Sequence, residues 1–525
     1  DDTFHPIVPA CGMTELRIDS GIVEKKLMAL NRGKSAGPDG IHSRILSETR
    51  LVLNEHLLRI FRASLASGVV PCDWKSSVVV PLYKKGSKAK VENYRPIALT
   101  SVCCKILESI IKDHIMSYFL QYDIFTHRQF GFLPSRSTVL QLLKFLDEVT
   151  LSVDSGLEVH TIYTDLEKAF DRIPHKRLLF KMKEYGVHPI LIEWIRSYLT
   201  ERSFRVQLRG GLSDSFPVLS GVPQGSVLGP LLFVIYINDI CGVSENIYLF
   251  ADDAKLFRPI ADFKDTRELQ SDIYKLQQWF TRWQMTVNPS KCCVLKVGGN
   301  RFAADYYMQD TSGLSVVVPE VSSVTDLGII LDSKLKFRDH VFSRIKKANS
   351  LLGIVGRTLK YLPEDAFVTL YKSLIRSQLE YGVQIWSPHG RGLIEELERV
   401  QRRFTRMVRS CKGLIYTERL KKLRLPSLTY RRKRADLILL YKMKSGQLMD
   451  CHCPGLTLCP DERTRGHEFK LATRLAHKDC RKYYFSNRVV DDWNQLPGPV
   501  VSAESLSLFK SLLDDFFGDM QFDFA

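Results

Sequence analysis

The chain has 525 residues, 45% of them hydrophobic and 25% charged, which excludes intrinsic disorder, a collagen-like repeat and a disulfide miniprotein and allows roughly three or four domains of about 150 residues. Lysine and arginine number 75 against 58 acidic residues, and the formal charge of +17 points to a polyanionic partner, with nucleic acid ahead of a membrane. No apolar run reaches the roughly 18 residues of a membrane-spanning helix, so a soluble protein with no membrane partner is expected.

In chain order, the opening residues 1–12 carry neither an initiator Met nor a signal peptide, which suggests a fragment of a longer product. Residues 20–30 read as an amphipathic helix, KSAGPDG at 34–40 as a turn and 51–67 as a second helix. Beyond Trp74 the texture changes. β-Branched runs at 76–83 and 158–165 alternate with helical patterns at 103–120 and 140–152, an α/β or α+β body. The apolar run Leu231–Ile237 fits a buried strand or helix. From about Asp326 the pattern is helical and basic, with Arg399, Arg402, Arg403, Arg406 and Arg409 followed by Arg431, Arg432, Lys433 and Arg434; such clusters suit the wall of a nucleic-acid channel or, more plainly, solvated helix faces. The 12 cysteines include the adjacent pairs Cys103-Cys104 and Cys292-Cys293 in apolar stretches, which suit reduced core thiols in an intracellular protein.

Two acidic sites carry the chemistry. In HTIYTDLEKAFDRIPH the alternation stops at Asp165, which places it at the carboxyl end of a strand; in NIYLFADDAKLF two apolar runs flank Asp252-Asp253, which reads as a hairpin with the acids at its tip. Either alone is an ordinary turn. Side by side on adjacent strands, Asp165 and Asp252 would form the carboxylate cluster that holds two Mg²⁺ ions for in-line phosphoryl transfer. Between them, Gly221, Gly225 and Gly229 allow close backbone approach to a ligand that Gln224 can hydrogen-bond, or simply a turn before a buried helix.

These pieces resemble, in order, the reverse transcriptase of non-LTR (LINE-type) retrotransposons, closest in style to jockey-like elements. Residues 34–46 resemble the amino-terminal extension, 74–99 the fingers, YTDLEKAFD motif A, GVPQGSVLGPLLF motif B, FADD motif C and VNPSKCCVL motif D. Residues 324–358 resemble the start of the thumb and 396–410 a later thumb helix.

The resemblance implies an α+β right hand: an extension over 1–73, fingers and palm with an antiparallel sheet over 74–313, a helical thumb over 314–412, and a mixed basic carboxyl-terminal region of unknown role over 413–525. It makes Asp165 and Asp252 the principal metal ligands with Asp253 in support, for Mg²⁺ or Mn²⁺. Lys85 and Arg95 become the cations that grip a triphosphate, with Lys84 competing for the first role. Gln224 and Gly225 join the nucleotide site, and Lys291 would protonate the pyrophosphate leaving group. Phe170, five residues after the first aspartate, is the ring that blocks a ribose 2′-OH, so dNTPs are favoured; plain core packing is its bland reading. Arg399, Arg402, Arg403 and Arg406 would meet the phosphates of the template-primer, unless they pair with Glu395, Glu396 and Glu398.

The implied partners are an RNA template, a DNA primer or target DNA, and dNTPs, with an endonuclease supplied from a missing upstream region or another protein. Target-primed synthesis places the work in the nucleus, with the cytoplasm as the site of the ribonucleoprotein. Cys451, His452, Cys453, Cys459, His467, His477 and Cys480 invite a zinc reading, but the set lacks an initial Cys-x₂-Cys, so ordinary thiols and surface histidines are expected. The rival readings are a group II intron maturase-like enzyme, a viral RNA-dependent RNA polymerase, which Phe170 opposes, and a decayed or domesticated copy that only binds nucleic acid.

Overall fold

The β-branched runs build two five-stranded sheets, and everything else is arranged around them. The computed structural model describes residues 9, 12–299, 301–310, 312–359, 362–448, 455–459 and 467–523. Its strands are β1 (Ser76–Tyr83), β2 (Tyr94–Leu99), β3 (Glu158–Thr164), β4 (Arg202–Leu208), β5 (Gly211–Leu212), β6 (Phe216–Val218), β7 (Ile247–Phe250), β8 (Asp253–Ile260), β9 (Cys293–Val297), β10 (Tyr307–Gln309), β11 (Ser315–Val317), β12 (Glu320–Val321), β13 (Ser323–Asp326) and β14 (Ile329–Asp332). The strand expected over 76–83 is present over those residues. The helices expected over 51–67, 103–120 and 140–152 appear as Arg50–Ser67, Val102–Gln121 and Thr138–Asp154.

One sheet has the order β2-β1-β4-β5, with β6 also on β4. The other has the order β12-β9-β3-β8-β7, with β3 antiparallel to both β8 and β9. Strand alternation gives this second sheet two buried faces. Ile162, Leu256 and Val294 look into one apolar cluster, shared with the amino-terminal helices and the helix Gly229–Ile237. Val159, Phe257 and Leu295 look into the other, shared with the helix Thr138–Asp154 and the carboxyl-terminal helices. Apolar side chains fill the helix Gly229–Ile237 on all sides, and those of Leu231 to Ile237 are almost wholly buried. A helix so dressed has to lie inside the protein.

The stretch after Asp326 opens differently from the helical reading. β13 and β14 form a hairpin whose two turn residues, Leu327 (φ 46°) and Gly328 (φ 85°), both adopt the left-handed region, which a two-residue hairpin turn needs. Helices follow from Arg338–Thr358 to Leu506–Phe517. The residues after 413 do not stand apart: Leu437, Phe485, Val489, Trp493 and Phe509 share one apolar cluster with Leu352, Leu397 and Phe404. Among the described residues no helix is long and apolar enough to cross a membrane.

Candidate active site

Hydrogen bonding and register bring the two acidic motifs together at one end of the second sheet. Thr164 pairs with Ala254 in the β3–β8 ladder, so Asp165 leaves β3 beside the start of β8, where Asp253 is the first residue. Phe250 pairs with Asp253, which leaves Ala251 and Asp252 as the hairpin turn. Ala251 is left-handed at φ 56°, an uncommon state for a residue with a Cβ. Buried Gln129 holds it there: its side-chain oxygen accepts from the Ala251 N–H at 2.9 Å and from the Gly131 N–H at 2.7 Å. Gly131 has to be glycine, because a Cβ there would lie 2.3 Å from the Ala251 nitrogen.

The carboxylates feel one another. Asp252 is pushed above the ordinary carboxylate range by burial and by the charge of Asp165, against the pull of Lys84 and Arg95. Asp253, open to solvent along one edge, is pushed up to about 6 by its recess in the sheet end, then by Asp252, Asp326 and Asp165. Mutual repulsion of this kind is relieved by a cation, so the three residues fit a divalent metal. Among the described residues no three candidate ligands already converge as a metal cage. Asp165 instead faces Lys291, whose Nζ lies 3.4 Å from its carboxylate. The chain beyond β3 runs against residues 286–288, with Asn288 N donating to the Asp165 carbonyl at 3.0 Å, and this is what delivers Lys291.

On the first sheet, β1 and β2 pair Leu82 with Arg95, and Lys84 N continues the ladder by donating to Asn93 O at 2.8 Å. Alternation therefore sets Lys84 on the face of Arg95, and these are the two cations that act on Asp252. Lys85, exposed in the turn beyond the strand, belongs to the opposite alternation. Of the two competing lysines, Lys84 is the one that shares a face with Arg95 and acts on Asp252.

Phe170 is half-buried, stacked on Phe233 at 4.5 Å and edge-on to Phe132 at 5.9 Å. The Gln224 side chain donates to Asp171 at 3.1 Å, and the Gln224 carbonyl accepts from Ala98 N at 2.7 Å. Gly225 lies so close to β2 that a Cβ would sit 2.5 Å from the Ala98 carbonyl. One loop thus touches both the strand of the paired cations and the segment that carries Phe170. Buried Glu108 anchors it from below, accepting from Val227 N at 2.7 Å and Leu228 N at 3.0 Å, a carboxylate placed at the start of the helix Gly229–Ile237. Sequence reasoning missed Gln129, Gly131 and Glu108; the QFG run at 129–131 was the only local signal.

The basic residues further on divide into two kinds. On the helix Arg391–Met407, Arg399 pairs with Glu396 at 2.7 Å, Arg403 donates to Asn349 at 3.1 Å, Arg402 lies over the Tyr416 ring at 5.0 Å, and Arg406 is exposed. Glu398 takes no part in that surface; it is buried and accepts from Tyr416 and Leu428 N. The run 431–434 is braced by carboxylates rather than left as a bare stripe. Arg431 grips Glu380, Arg434 grips Asp514, Lys433 meets Asp492, and Arg432 is buried. Of the zinc candidates, Cys451, His452 and Cys453 lie outside the described residues. His467 meets the Trp493 carbonyl at 3.2 Å, and Cys459 and Cys480 are free thiols.

Residues 83–331 match the reverse transcriptase (RNA-dependent DNA polymerase) family. The chain is 28% identical over 410 residues to the probable RNA-directed DNA polymerase from transposon X-element of Drosophila melanogaster, covering 75% of this chain and 44% of that protein. It is 27% identical over 440 residues to the probable RNA-directed DNA polymerase from transposon BS of the same fly, covering 78% and 46%. Against the RNA-directed DNA polymerase from mobile element jockey, also of that fly, it is 28% identical over 405 residues, covering 74% and 43%. The chain thus spans less than half the length of these relatives.

Proposed function

Because the chain carries a reverse transcriptase domain and resembles the polymerases of non-LTR retrotransposons, we propose that it extends a DNA primer with deoxynucleotides on an RNA template. On this reading the sheet of β1, β2 and β4 belongs to the fingers, the sheet of β3, β8 and β9 to the palm, and the helices after β14 to the thumb. The observation that carries the reading is that the strand register sets Asp165, Asp252 and Asp253 at one end of the sheet, within the electrostatic reach of Lys84 and Arg95.

Divalent metal held by Asp165 and Asp252, with Asp253 in support, would lower the barrier to in-line attack of a primer 3′-OH on an α-phosphate by neutralising the charge that develops there. The protein's own groups do the rest. Lys84 and Arg95 grip the triphosphate, Arg as a bidentate fork and Lys as a point charge. Phe170, fixed by Phe233, occupies the space a 2′-OH would need. Lys291 stands close enough to the carboxylates to give its proton to the departing pyrophosphate. Primer extension by the purified chain with Mg²⁺, dNTPs and an RNA template annealed to a DNA primer tests the proposal; no elongated product would refute it.

A further inference from the structure

Away from the aspartate cluster, cations gather at a groove in the carboxyl-terminal region. It lies between the helices Leu428–Lys444 and Leu506–Phe517, has a volume of about 260 Å³, and is lined by Gln384, Arg431, Arg434, Ile438, Lys442 and Lys510. Arg431 is held by Glu380 through bonds of 2.6 and 2.8 Å, and Arg434 by Asp514 through bonds of 2.6 and 2.7 Å. Both guanidinium planes are therefore locked in position. Lys442 and Lys510 have no carboxylate partner among the described residues.

The positive strip continues beyond the groove. Glu380 is shared with Arg376, whose Nε lies 3.5 Å away, and Lys372 feels the charges of both Arg376 and Arg431. Arg376 and Lys372 sit on a π-helical turn, Tyr371–Arg376, a rare conformation that recurs at functional sites. Of these six cations, Glu380 and Asp514 brace only the three arginines. The carboxylates hold Arg431 and Arg434 in their charged form, which leaves Lys372, Lys442 and Lys510 as the cations open to an external anion.

We propose that this groove binds single-stranded RNA, the unpaired part of the template outside the active cleft; this rests on the polymerase reading above. The volume falls below the roughly 300–1,000 Å³ of ordinary small-ligand pockets, which suits one unit of a polymer lying in an open furrow. The lysines at its rim suit phosphates. Half-exposed Ile438 and Leu439 give an unstacked base an apolar surface, which the paired bases of a duplex cannot use. Recognition through phosphates and base faces carries no sequence preference.

The test uses the whole 525-residue chain and a labelled 12-nucleotide oligouridylate, with binding followed by anisotropy across a salt series. In the Lys442→Gln, Lys510→Gln double variant we expect affinity at low salt to fall at least about tenfold and the salt slope to shrink by about 1.4, at about 0.7 for each phosphate no longer neutralised. Lys442→Arg with Lys510→Arg should restore both. Unchanged affinity and slope in the folded glutamine variant would overturn the proposal. So would an equal loss of affinity for a blunt duplex of the same length, because the site would then not be selective for single strands. If wild-type protein bound oligouridylate through these lysines yet extended no primer, the groove assignment would stand and the polymerase reading would fall.

Discussion

At Phe170 a single ring is packed flat against Phe233 and edge-on to Phe132, so its position is set by its aromatic neighbours. Replacing it with alanine should raise the ratio of ribonucleotide to deoxynucleotide incorporation, read from paired extension reactions. A folded variant with an unchanged ratio would mean the ring is only packing. Its half-exposure should keep the stability loss below the roughly 3–5 kcal/mol typical of a fully buried Phe.

Asp253 offers a second residue-scale test. Its proton is held up to about 6 from an ordinary 3.8, so the folded state binds the proton more tightly than the unfolded chain does. The resulting penalty is absent below the ordinary value and complete above about 6. In the absence of divalent ions, wild-type protein should therefore lose thermal stability relative to Asp253→Asn as pH rises from about 4 to about 6. Added Mg²⁺ should recover that loss above the raised value and have little effect below the ordinary one. A difference that stays flat across this range would remove Asp253 from the cluster. The aspartates were legible in the sequence because each sits where an alternating run stops. Gln129 and Glu108 were not, because what they hold lies more than a hundred residues away and no local periodicity records a distant partner.

At the scale of elements, the helix Arg391–Met407 was readable in its spacing but not in its partners. Arg399, Arg402, Arg403 and Arg406 do share one side, as spacings of three and four require, yet Arg399 already engages Glu396. An exposed pair of this kind contributes little, about 0.3–0.5 kcal/mol, and leaves the guanidinium available to a phosphate. Converting Arg399, Arg403 and Arg406 to alanine should weaken binding of template-primer duplexes regardless of sequence and reduce the salt slope by about 0.7–0.9 for each phosphate left without its cation. An unchanged slope would show that these arginines serve only the helix surface. The β13–β14 hairpin was hidden for a different reason. Its strands are four residues each, too short for alternation to stand out against the helical pattern that follows, and the first, SVTD, has a single aliphatic residue.

Across the whole molecule, the surprise is how the carboxyl-terminal region is attached. Arg481 and Asp147 form an ion pair with both side chains buried, at 2.7 Å, which Thr150 and Ser486 complete. Asp147 and Thr150 lie on the helix Thr138–Asp154, which packs against the sheet that bears the aspartates. Composition showed only a basic tail; a buried pair hundreds of residues apart leaves no trace in local pattern. Breaking it with Arg481→Met should cost about 3–5 kcal/mol by stranding a buried carboxylate, whereas replacing both partners with apolar residues should cost much less. A double-mutant cycle by denaturant unfolding distinguishes this from a tail that folds independently, for which the single change would leave the main transition in place.

The central claim, that the aspartate cluster drives DNA synthesis on RNA, is tested most directly by comparing wild-type chain with Asp252→Asn in RNA-templated primer extension, with template-primer binding measured on the same samples. The account predicts elongation by wild type, none by the variant, and binding affinities within a few-fold of each other. Elongation by Asp252→Asn at near wild-type rate would contradict it.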